Sequence, residues 1–503
     1  MYCVGVTTSR PTLLCVPIEV GRVDLALETA ADARARGADL IEWRLDALLQ
    51  DDPARLDAIP RLCRECPLPC IVTCRSVDEG GEFDGDASLL TEVAGRATDA
   101  TYVDIEHARG IAFPGGTRTI LSHHDFDGPP DSRLVLAMQV RGADVTKIAF
   151  KARSLRDNLE AFALLRHASG PMIALAMGEF GVMSRILAPK FGAMLTFARL
   201  GMGTAPGQPE IDDLLGLYRF RSIGPATRVY GIVGDPIGHS RSPRLHNAGF
   251  DDVGFDGVYV PMPIASSEDA EATYASLKGT ILDLLGDTSL DFHGCSITLP
   301  FKEHIVRLGE AEGWDLDEHV RRIGAANTLV RDGTTIRLRN TDAEAACGAL
   351  EDAMGEVTDR VVGIRGAGGA ARAIAAALSS RGADVHVFNR HVERAQRLAS
   401  DLGVHAHHDL EISNVRCDAL VNCTPIGMSG GPAPDEVALP VSAPVIFDTV
   451  YNPIETPLLK AAREAGCTIV DGVTMFVRQA AAQFELWTGV PAPIERFDRL
   501  IRG

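Results

Sequence analysis

Lysine is scarce in this chain, so each lysine marks a position where an amine is a candidate for chemistry. Only six of the 49 basic residues are lysines, at positions 147, 151, 190, 278, 302 and 460. A guanidinium stays protonated and cannot act as an amine nucleophile, whereas a lysine can. Lys147 lies in an apolar stretch between Val145 and Phe150, where burial would favour the neutral amine that forms a Schiff base with a ketone.

Other reactive side chains also fall within or just beyond apolar stretches. His124 follows Leu121 and Ser122 and is a candidate general acid or base. Glu42, Arg44 and Arg75 occupy comparable places in earlier stretches. A buried lysine can be a simple ion-pair partner, and a lone histidine is often structural. The shared position at strand ends nevertheless favours a single site.

Eight apolar segments predict the elements that position these side chains. They are Leu13–Ile18, Leu40–Leu45, Cys70–Arg75, Tyr102–Glu106, Thr119–Ser122, Val145–Phe150, Met172–Met177 and Met194–Leu200. Amphipathic stretches separate them, which is typical of a (β/α)8 barrel with its active site at the C-terminal ends of the strands. We therefore predict an α/β fold whose N-terminal barrel covers residues 1–221.

The ordered motifs of this half resemble those of type I 3-dehydroquinate dehydratases. They are Glu42-Trp-Arg44-Leu-Asp46, Thr73-Cys-Arg75 leading to Glu79-Gly-Gly, Ser122-His-His124-Asp-Phe, Lys147-Ile-Ala, Met177-Gly with Ser184-Arg185, and Ala205-Pro-Gly-Gln208. The resemblance implies that Lys147 forms an imine with the substrate ketone and that His124, oriented by Glu79, transfers protons. Arg185 would hold the substrate carboxylate. The other implied substrate-binding or site-shaping residues are Glu42, Arg44, Arg75, Thr204 and Gln208.

Two positions leave alternatives open. His123 precedes His124, so either imidazole is a candidate base. Strand alternation is expected to place them on opposite faces, and the position before Asp125-Phe126 favours His124. Lys151 shares strand parity with Lys147 and is the second candidate amine.

A glycine turn in the second half predicts a dinucleotide site. The segment Val361–Ala371 has the pattern of a strand, a glycine turn and the start of a helix. Glycines let the backbone approach a pyrophosphate, whose charge the helix N-terminus favours. The next strand ends in Asn389-Arg390 rather than in an acid. Together with Arg394, this favours the 2′-phosphate of NADP over the free hydroxyl of NAD.

Further motifs resemble shikimate dehydrogenases over residues 228–503. They are Gly238-His-Ser240-Arg-Ser242-Pro, Thr298-Leu-Pro-Phe-Lys302-Glu, Ala326-Asn327-Thr, Asn340-Thr-Asp342, Asn422-Cys-Thr-Pro-Ile-Gly-Met428, Asp448-Thr-Val-Tyr451-Asn-Pro, and Gln479 through Trp487-Thr-Gly. The resemblance implies a catalytic pair, Lys302 and Asp342. The implied substrate-binding residues are Ser240, Ser242, Thr298, Asn327, Tyr451 and Gln479. The predicted NADP-binding residues are Gly366, Ala367, Gly368, Gly369, Ala370, Asn389, Arg390, Arg394, Thr424, Met428 and Gly472.

The two halves together predict a bifunctional enzyme of the shikimate pathway, because the dehydratase product is the ketone that the reductase consumes. The predicted domains are the barrel (1–221), a substrate-binding domain (228–345, completed by 474–503) and a Rossmann NADP-binding domain (346–473). Two alternatives stay open: a broader quinate/shikimate dehydrogenase in the C-terminal half, and a non-catalytic metabolite sensor built on the same folds.

Length and charge limit the partners. A chain of 503 residues is long enough for two or more domains. A net charge of −19 argues against nucleic acid or an anionic membrane surface, which leaves small-molecule substrates. No membrane span or signal peptide is evident, so a cytoplasmic location is expected. The cysteines near Cys63 and Cys66 lack a completing second pair, so no metal site is predicted. The sequence gives no oligomeric state.

Overall fold

The structure is a computed structural model that describes residues 11–201, 207–429 and 443–503. These residues divide into two units. The first contains the described residues up to Arg228, together with Asp256–Ala265 and Leu282–Asp291. The second contains Val229–Phe255, Ser266–Ile281 and the described residues from Phe292 onward.

Parallel strands form an eight-stranded sheet in the first unit. They are β1 (Leu13–Glu19), β2 (Leu40–Arg44), β3 (Cys70–Thr73), β4 (Tyr102–Glu106), β5 (Arg118–Asp125), β6 (Val145–Lys151), β7 (Met172–Met177) and β8 (Leu195–Phe197). Their order is β7-β6-β5-β4-β3-β2-β1-β8. The N–H of Met194, just before β8, donates to the carbonyl of Met172 in β7 at 2.9 Å and nearly closes the ring. The predicted barrel is confirmed.

Helices follow most of these strands. They are α1 (Val23–Ala35), α2 (Asp46–Asp51), α3 (Ala58–Glu65), α4 (Ala87–Arg96), α5 (Ser132–Val140), α6 (Asp157–Arg166) and α7 (Val182–Ile186). Within the described chain, the connection from β4 to β5 carries only the short 3-10 helix His107–Arg109. The expected alternation of strands and long helices is therefore interrupted there.

The barrel interior has an apolar layer and a polar layer. Every second side chain of a strand faces the same side, so each strand contributes to both layers. The apolar layer includes the buried residues Leu40, Ile71, Tyr102, Ile120 and Val145. Two residues further along the same five strands come Glu42, Thr73, Asp104, Ser122 and Lys147, which are also buried. The polar groups thus gather toward the C-terminal ends of the strands.

The remaining strands build the sheets that follow the barrel. They are β9 (Arg228–Gly234), β10 (Gly257–Pro263), β11 (Phe292–Ile297), β12 (Asp315–Leu316), β13 (Thr328–Asp332), β14 (Thr335–Arg339), β15 (Val361–Arg365), β16 (Asp384–Asn389), β17 (His405–His408), β18 (Ala419–Asn422), β19 (Val445–Asp448) and β20 (Thr468–Val470). One mixed sheet contains the run β9-β11-β13-β14-β12. The other is parallel and has the order β17-β16-β15-β18-β19-β20. That order is the doubly wound arrangement of dinucleotide-binding folds, so the predicted Rossmann fold is confirmed.

Ten helices are described in this part of the chain. They are α8 (Ser242–Asp252), α9 (Ala270–Gly286), α10 (Lys302–Ala311), α11 (Glu318–Ile323), α12 (Thr341–Met354), α13 (Gly369–Ser380), α14 (Val392–Leu402), α15 (Pro457–Glu464), α16 (Gly472–Thr488) and α17 (Ile494–Arg502). The buried alanines of α13 pack with Val362 and Ile364 of β15 in one core. Among the described helices, none has both the length and the apolar character needed to span a bilayer.

Candidate active sites

The amine of Lys147 lies inside the barrel between two carboxylates. Its Nζ is 3.0 Å from Asp104 Oδ2 and 3.3 Å from Glu42 Oε1, and the residue is only 4% exposed. Lys151, the second candidate amine, is exposed at the end of the same strand. Only Lys147 therefore faces the other polar groups of the barrel interior.

Arg75 lies deep in the same layer and is surrounded by acids. Its guanidinium is 2.8 Å from Asp104, 3.1 Å from Glu79 and 3.2 Å from Glu106. Burial would raise the pKa of Asp104, but the charges of Arg75 and Lys147 lower it to about 2. The positive charge of Arg75 thus compensates the negative charges of these three buried carboxylates.

Glu79 contacts two imidazoles. It ends the 3-10 helix Val77–Glu79, and its Oε2 is 2.9 Å from His124 Nδ1. His123 Nδ1 lies 3.7 Å from Oε1 of the same carboxylate, which is too long for a hydrogen bond. Of the two histidines, His124 therefore forms the hydrogen bond with Glu79. The 3-10 helix that carries Glu79 contacts β5, the strand that carries both histidines.

The environment of His124 favours a neutral ring. Burial, with the charges of Arg75 and Lys147, holds the pKa of His124 well below its usual 6.5 despite the Glu79 hydrogen bond. If Nδ1–H donates to Glu79, Nε2 carries a free lone pair that can accept a proton. For Glu79, burial would raise the pKa, but the two imidazoles and Arg75 lower it.

Arg185 is a buried cation of the barrel unit. It lies in α7 and is 2% exposed. Within the described residues, its Nε and Nη1 atoms have no hydrogen-bond partner. Burial lowers the pKa of Arg185 to about 10. Because an uncompensated buried charge is costly, this guanidinium suits an anionic ligand.

The other predicted residues of the barrel site have different surroundings. Arg44 forms a bidentate pair with Asp46, at 2.9 and 2.8 Å. Gln208 is buried, with 8% exposure. Thr204 lies outside the described residues.

Asp104 and Glu106 were missed by the sequence analysis. Both lie in the predicted strand β4, and the signal was their alternation with Tyr102 in an otherwise apolar segment. Glu106 accepts hydrogen bonds from the backbone N–H of Ser76, at 2.8 Å, and from its hydroxyl, at 2.7 Å. It fixes the chain just after Arg75.

The second unit contains a close Lys–Asp pair. Lys302 begins α10 and Asp342 lies in the first turn of α12. Their Nζ and Oδ2 atoms are 2.5 Å apart, and both side chains keep partial exposure of 17% and 11%. The pair is tightly hydrogen bonded yet open to a ligand.

An amide cluster lies beside this pair. Asn327 donates to the Thr341 hydroxyl at 2.9 Å and accepts from the Thr341 N–H at 2.8 Å. Gln483 donates to the carbonyl of Asn327 and accepts from Ser296 at 2.7 Å. These contacts connect Asn327 to the residue that precedes Asp342. Ser296 and Gln483 thereby support the position of Asn327, a role that the sequence analysis did not find.

The remaining predicted substrate residues vary in exposure. Ser242 is buried at the start of α8, and its N–H donates to the Ser240 hydroxyl at 3.3 Å. Thr298 is half-buried after β11. Tyr451 stacks on Phe476 at 4.6 Å, and burial raises the pKa of its phenol. Gln479 is buried and donates to the carbonyl of Phe476.

The glycine turn after β15 fits a pyrophosphate. Gly366 has φ +117°, and a Cβ there would lie 3.1 Å from the carbonyl of Cys423. A Cβ on Gly368 or Gly369 would meet nothing within 4 Å, so space is open beside the start of α13. No side chain caps this helix, which leaves its first N–H groups for an anion. Ala367 lies in the turn, and Ala370 is the second residue of α13.

Two arginines follow β16 on the same edge. Arg390 and Arg394 are exposed. Neither forms an ion pair within the part of the chain that the structure describes. Asn389 donates to the carbonyl of His391 at 2.9 Å and shapes the connection. The arrangement fits the 2′-phosphate of NADP.

Three more predicted cofactor residues lie in other loops. Thr424 donates to Asn422 Oδ1 at 2.6 Å, and Met428 is exposed. Gly472 begins α16, where a Cβ would lie 2.3 Å from the carbonyl of Val450. Only glycine fits this close approach of the two backbones.

Family models match both halves. The type I 3-dehydroquinase model matches residues 14–225. The model of the shikimate dehydrogenase substrate-binding domain matches 232–329, that of shikimate/quinate 5-dehydrogenase 349–424, and that of the shikimate 5'-dehydrogenase C-terminal domain 472–502. Fold, sites and models define the class: a barrel lyase joined to a nicotinamide-dependent oxidoreductase.

Curated relatives contain the same combination. The chloroplastic bifunctional 3-dehydroquinate dehydratase/shikimate dehydrogenase of Arabidopsis thaliana is 36% identical, over 97% of this chain and 84% of the relative. The shikimate biosynthesis protein AroDE of Chlamydia pneumoniae is 30% identical, over 74% and 73%. The NADP(+) shikimate dehydrogenase of Methanosarcina acetivorans is 38% identical, over 54% of this chain and 97% of the relative. The chain belongs to the family of bifunctional 3-dehydroquinate dehydratase/shikimate dehydrogenases.

Proposed function

We propose that the barrel dehydrates 3-dehydroquinate to 3-dehydroshikimate and that the second half reduces this product to shikimate with NADPH. One observation carries the first assignment: a buried amine, a neutral imidazole and an uncompensated guanidinium lie on the barrel's C-terminal elements. These groups are Lys147, His124 and Arg185. The Lys302–Asp342 pair supports the second assignment.

In the barrel, Lys147 attacks the substrate ketone and forms an imine with loss of water. The imine accepts the electron pair left when His124 removes a proton from the adjacent carbon. The same imidazolium then protonates the departing hydroxyl, so the base is regenerated. Glu79 holds the ring and stabilises its charged form. Hydrolysis of the imine frees the enone product and restores the amine.

Arg185 orients the substrate in this scheme. A carboxylate at its unpaired nitrogens gains charge-assisted hydrogen bonds in a site from which water is excluded. The two carboxylates beside Lys147, those of Glu42 and Asp104, stabilise the positive charge of the protonated imine. Arg44 and Gln208 complete the wall of the site.

In the second half, Lys302 and Asp342 handle the proton of the reduction. NADPH, when bound, would supply the hydride for the carbonyl carbon. Lys302 donates a proton to the carbonyl oxygen as it becomes an alcohol, and Asp342 keeps the ammonium in position. Asn327 orients the ring, while Ser240 and Ser242 donate to the substrate carboxylate.

The open glycine turn before α13 and the exposed side chains of Arg390 and Arg394 are suited to bind NADP. The first turn of α13 would hold the pyrophosphate through backbone N–H groups. Arg390 and Arg394 would hold the 2′-phosphate. Thr424, Met428 and Gly472 would line the nicotinamide end.

The proposed domains are the barrel, the substrate-binding domain and the Rossmann domain, with the boundaries predicted above. A cytoplasmic location is likewise a prediction. The substrates of the chain are small molecules, and we propose that neither nucleic acid nor membrane is a partner.

The test is to supply 3-dehydroquinate and NADPH together and follow nicotinamide absorbance, with shikimate identified as product. Lys147→Arg should abolish this coupled reaction and borohydride trapping of the substrate, while added 3-dehydroshikimate is still reduced. Lys151→Arg is the matched control and should leave both reactions unchanged. Trapping that survives in Lys147→Arg but not in Lys151→Arg would move the amine to Lys151.

A further inference from the structure

Two histidines and an aspartate lie side by side at the edge of the Rossmann sheet. β17 is the edge strand and pairs in parallel with β16. Asp384 and His386 are two residues apart in β16, so their side chains share a face. The register places His405 directly beside His386. These three residues have no part in the proposed reduction or in NADP binding.

The spacing of their donor atoms is that of metal ligands. Asp384 Oδ2 is 3.4 Å from His386 Nε2, and Asp384 Oδ1 is 3.2 Å from His405 Nε2. One donor atom from each residue can be chosen so that all three lie within 4.8 Å of one another. In a tetrahedral site with metal–ligand bonds of about 2.0–2.1 Å, neighbouring ligand atoms are about 3.3 Å apart. Both measured separations are close to that edge, although they run to the two different oxygens of the Asp384 carboxylate.

A fourth side chain orients one of the imidazoles. His386 Nδ1 is 2.8 Å from His407 Nε2, and the two rings stack at 5.0 Å. If His386 donates this hydrogen bond, its Nε2 lone pair points toward Asp384. A metal-binding histidine usually donates its other ring N–H to such an acceptor, which fixes the ring and the tautomer. The ring of His407 is itself held by stacking on Phe388 at 4.9 Å.

We propose that Asp384, His386 and His405 bind a divalent transition-metal ion. Imidazole and carboxylate donors suit ions such as Zn²⁺ and Ni²⁺, whereas Mg²⁺ and Ca²⁺ prefer oxygen ligands alone. The side chains of His405 and Asp384 are 62% and 49% exposed, so an ion reaches them from solvent and water completes its coordination. Two ligands lie on β16 and one on β17, so the bound ion connects the edge strand to its neighbour. It therefore stabilises the nucleotide-binding half rather than taking part in the reaction.

Ion pairing without metal is the competing explanation, because a carboxylate between two imidazoles also attracts protonated rings. The two explanations differ in metal affinity: only a metal site binds a transition-metal ion selectively when its imidazoles are neutral. Nickel is the better probe, since its preference for imidazole limits competition from the free cysteines.

The experiment titrates the tag-free full chain with Ni²⁺ by calorimetry. One site should disappear in His405→Asn and in Asp384→Asn. His407→Gln should weaken that site about 10- to 100-fold, because only ring orientation is lost. His319→Asn is the matched control: this imidazole is 46% exposed and lies 3.6 Å from Glu344, outside the cluster. It should bind Ni²⁺ as the unsubstituted chain does.

Reduction of 3-dehydroshikimate in the presence of a chelator checks that each variant is folded and should be unchanged. A second readout is the midpoint of thermal unfolding, which Ni²⁺ should raise in the unsubstituted chain and in His319→Asn but not in His405→Asn. Equal Ni²⁺ binding in the unsubstituted chain, His405→Asn and Asp384→Asn would overturn the proposal. So would a site that disappears equally in His319→Asn.

Discussion

Arg185 and Arg75 are two buried arginines of the same barrel, and replacing each by methionine should change stability in opposite directions. Among the described residues, Nε and Nη1 of Arg185 have no hydrogen-bond partner, whereas Arg75 contacts three carboxylates. Methionine keeps an unbranched stem and removes the charge. Burial lowers the pKa of Arg185 to about 10, which corresponds to about 3 kcal/mol less favourable solvation of the charged form.

Arg185→Met should therefore raise the free energy of unfolding of the barrel by up to about 3 kcal/mol. Arg75→Met should lower it by about 3–5 kcal/mol, because Glu79, Asp104 and Glu106 would lose the buried guanidinium that they share. The measurement is hydrogen exchange of barrel amides, whose slowest members report unfolding of this unit alone. A whole-chain melting curve would mix the two units.

The same Arg185→Met change should strongly lower kcat/KM for dehydration. Removing one partner of a buried charge pair typically costs about 2–5 kcal/mol, which is roughly a 30-fold to several thousand-fold loss in kcat/KM. The assay is the appearance of the conjugated enone. A loss of stability in Arg185→Met would mean that this guanidinium is paired in the folded chain. A stable variant with unchanged kcat/KM would mean that it does not hold the substrate carboxylate.

Three further outcomes follow from the described contacts. Asp104 has a pKa of about 2 when folded and 3.8 when unfolded, so it stabilises the barrel above about pH 4 and loses that contribution, about 2 kcal/mol, as the pH falls to about 2. Asp104→Asn should therefore flatten the pH dependence of barrel hydrogen exchange between about pH 4 and pH 2. An unaltered slope would contradict the low pKa of Asp104. Arg390→Ala should raise the KM for NADPH about 10- to 100-fold and leave NADH unaffected, because a charge-assisted contact contributes about 1.5–3 kcal/mol; equal losses for both cofactors would refute 2′-phosphate binding. Asp342→Asn should lower kcat of reduction about 10²- to 10⁴-fold without slowing dehydration in the same sample; a rise in KM alone would mean that Asp342 only binds.

The ends of the barrel strands were predictable where the apolar segment of the sequence ends at a clear boundary. β4 and β7 have the predicted bounds. β5 continues through His124 to Asp125, and β8 is only Leu195–Phe197. Polar residues at a strand end weaken the sequence pattern even though the backbone hydrogen bonds continue, so the prediction stopped short in β5. The missing long helix between β4 and β5 had no comparable signal.

The site was predictable for residues with distinctive chemistry and less so for their supports. Lys147 stood out because lysine is scarce, and the glycine turn stood out because of the strand before it. Asp104 and Glu106 carry no rare chemistry, and their meaning depends on which cations face them across the barrel. Such pairings follow from strand register and cannot be derived from one strand alone.

The position of Lys147 between Glu42 and Asp104 has a consequence for covalent inhibitors. The two acids balance a positive charge, and a protonated imine or an alkylated amine preserves that charge. An acylating reagent would convert the nitrogen to a neutral amide, so Glu42 would lose the Lys147 cation and Asp104 would keep only Arg75, at a cost of several kcal/mol. Electrophiles that alkylate this nitrogen should therefore give the more stable adduct, and the barrel is a better target for reductive amination than for activated esters.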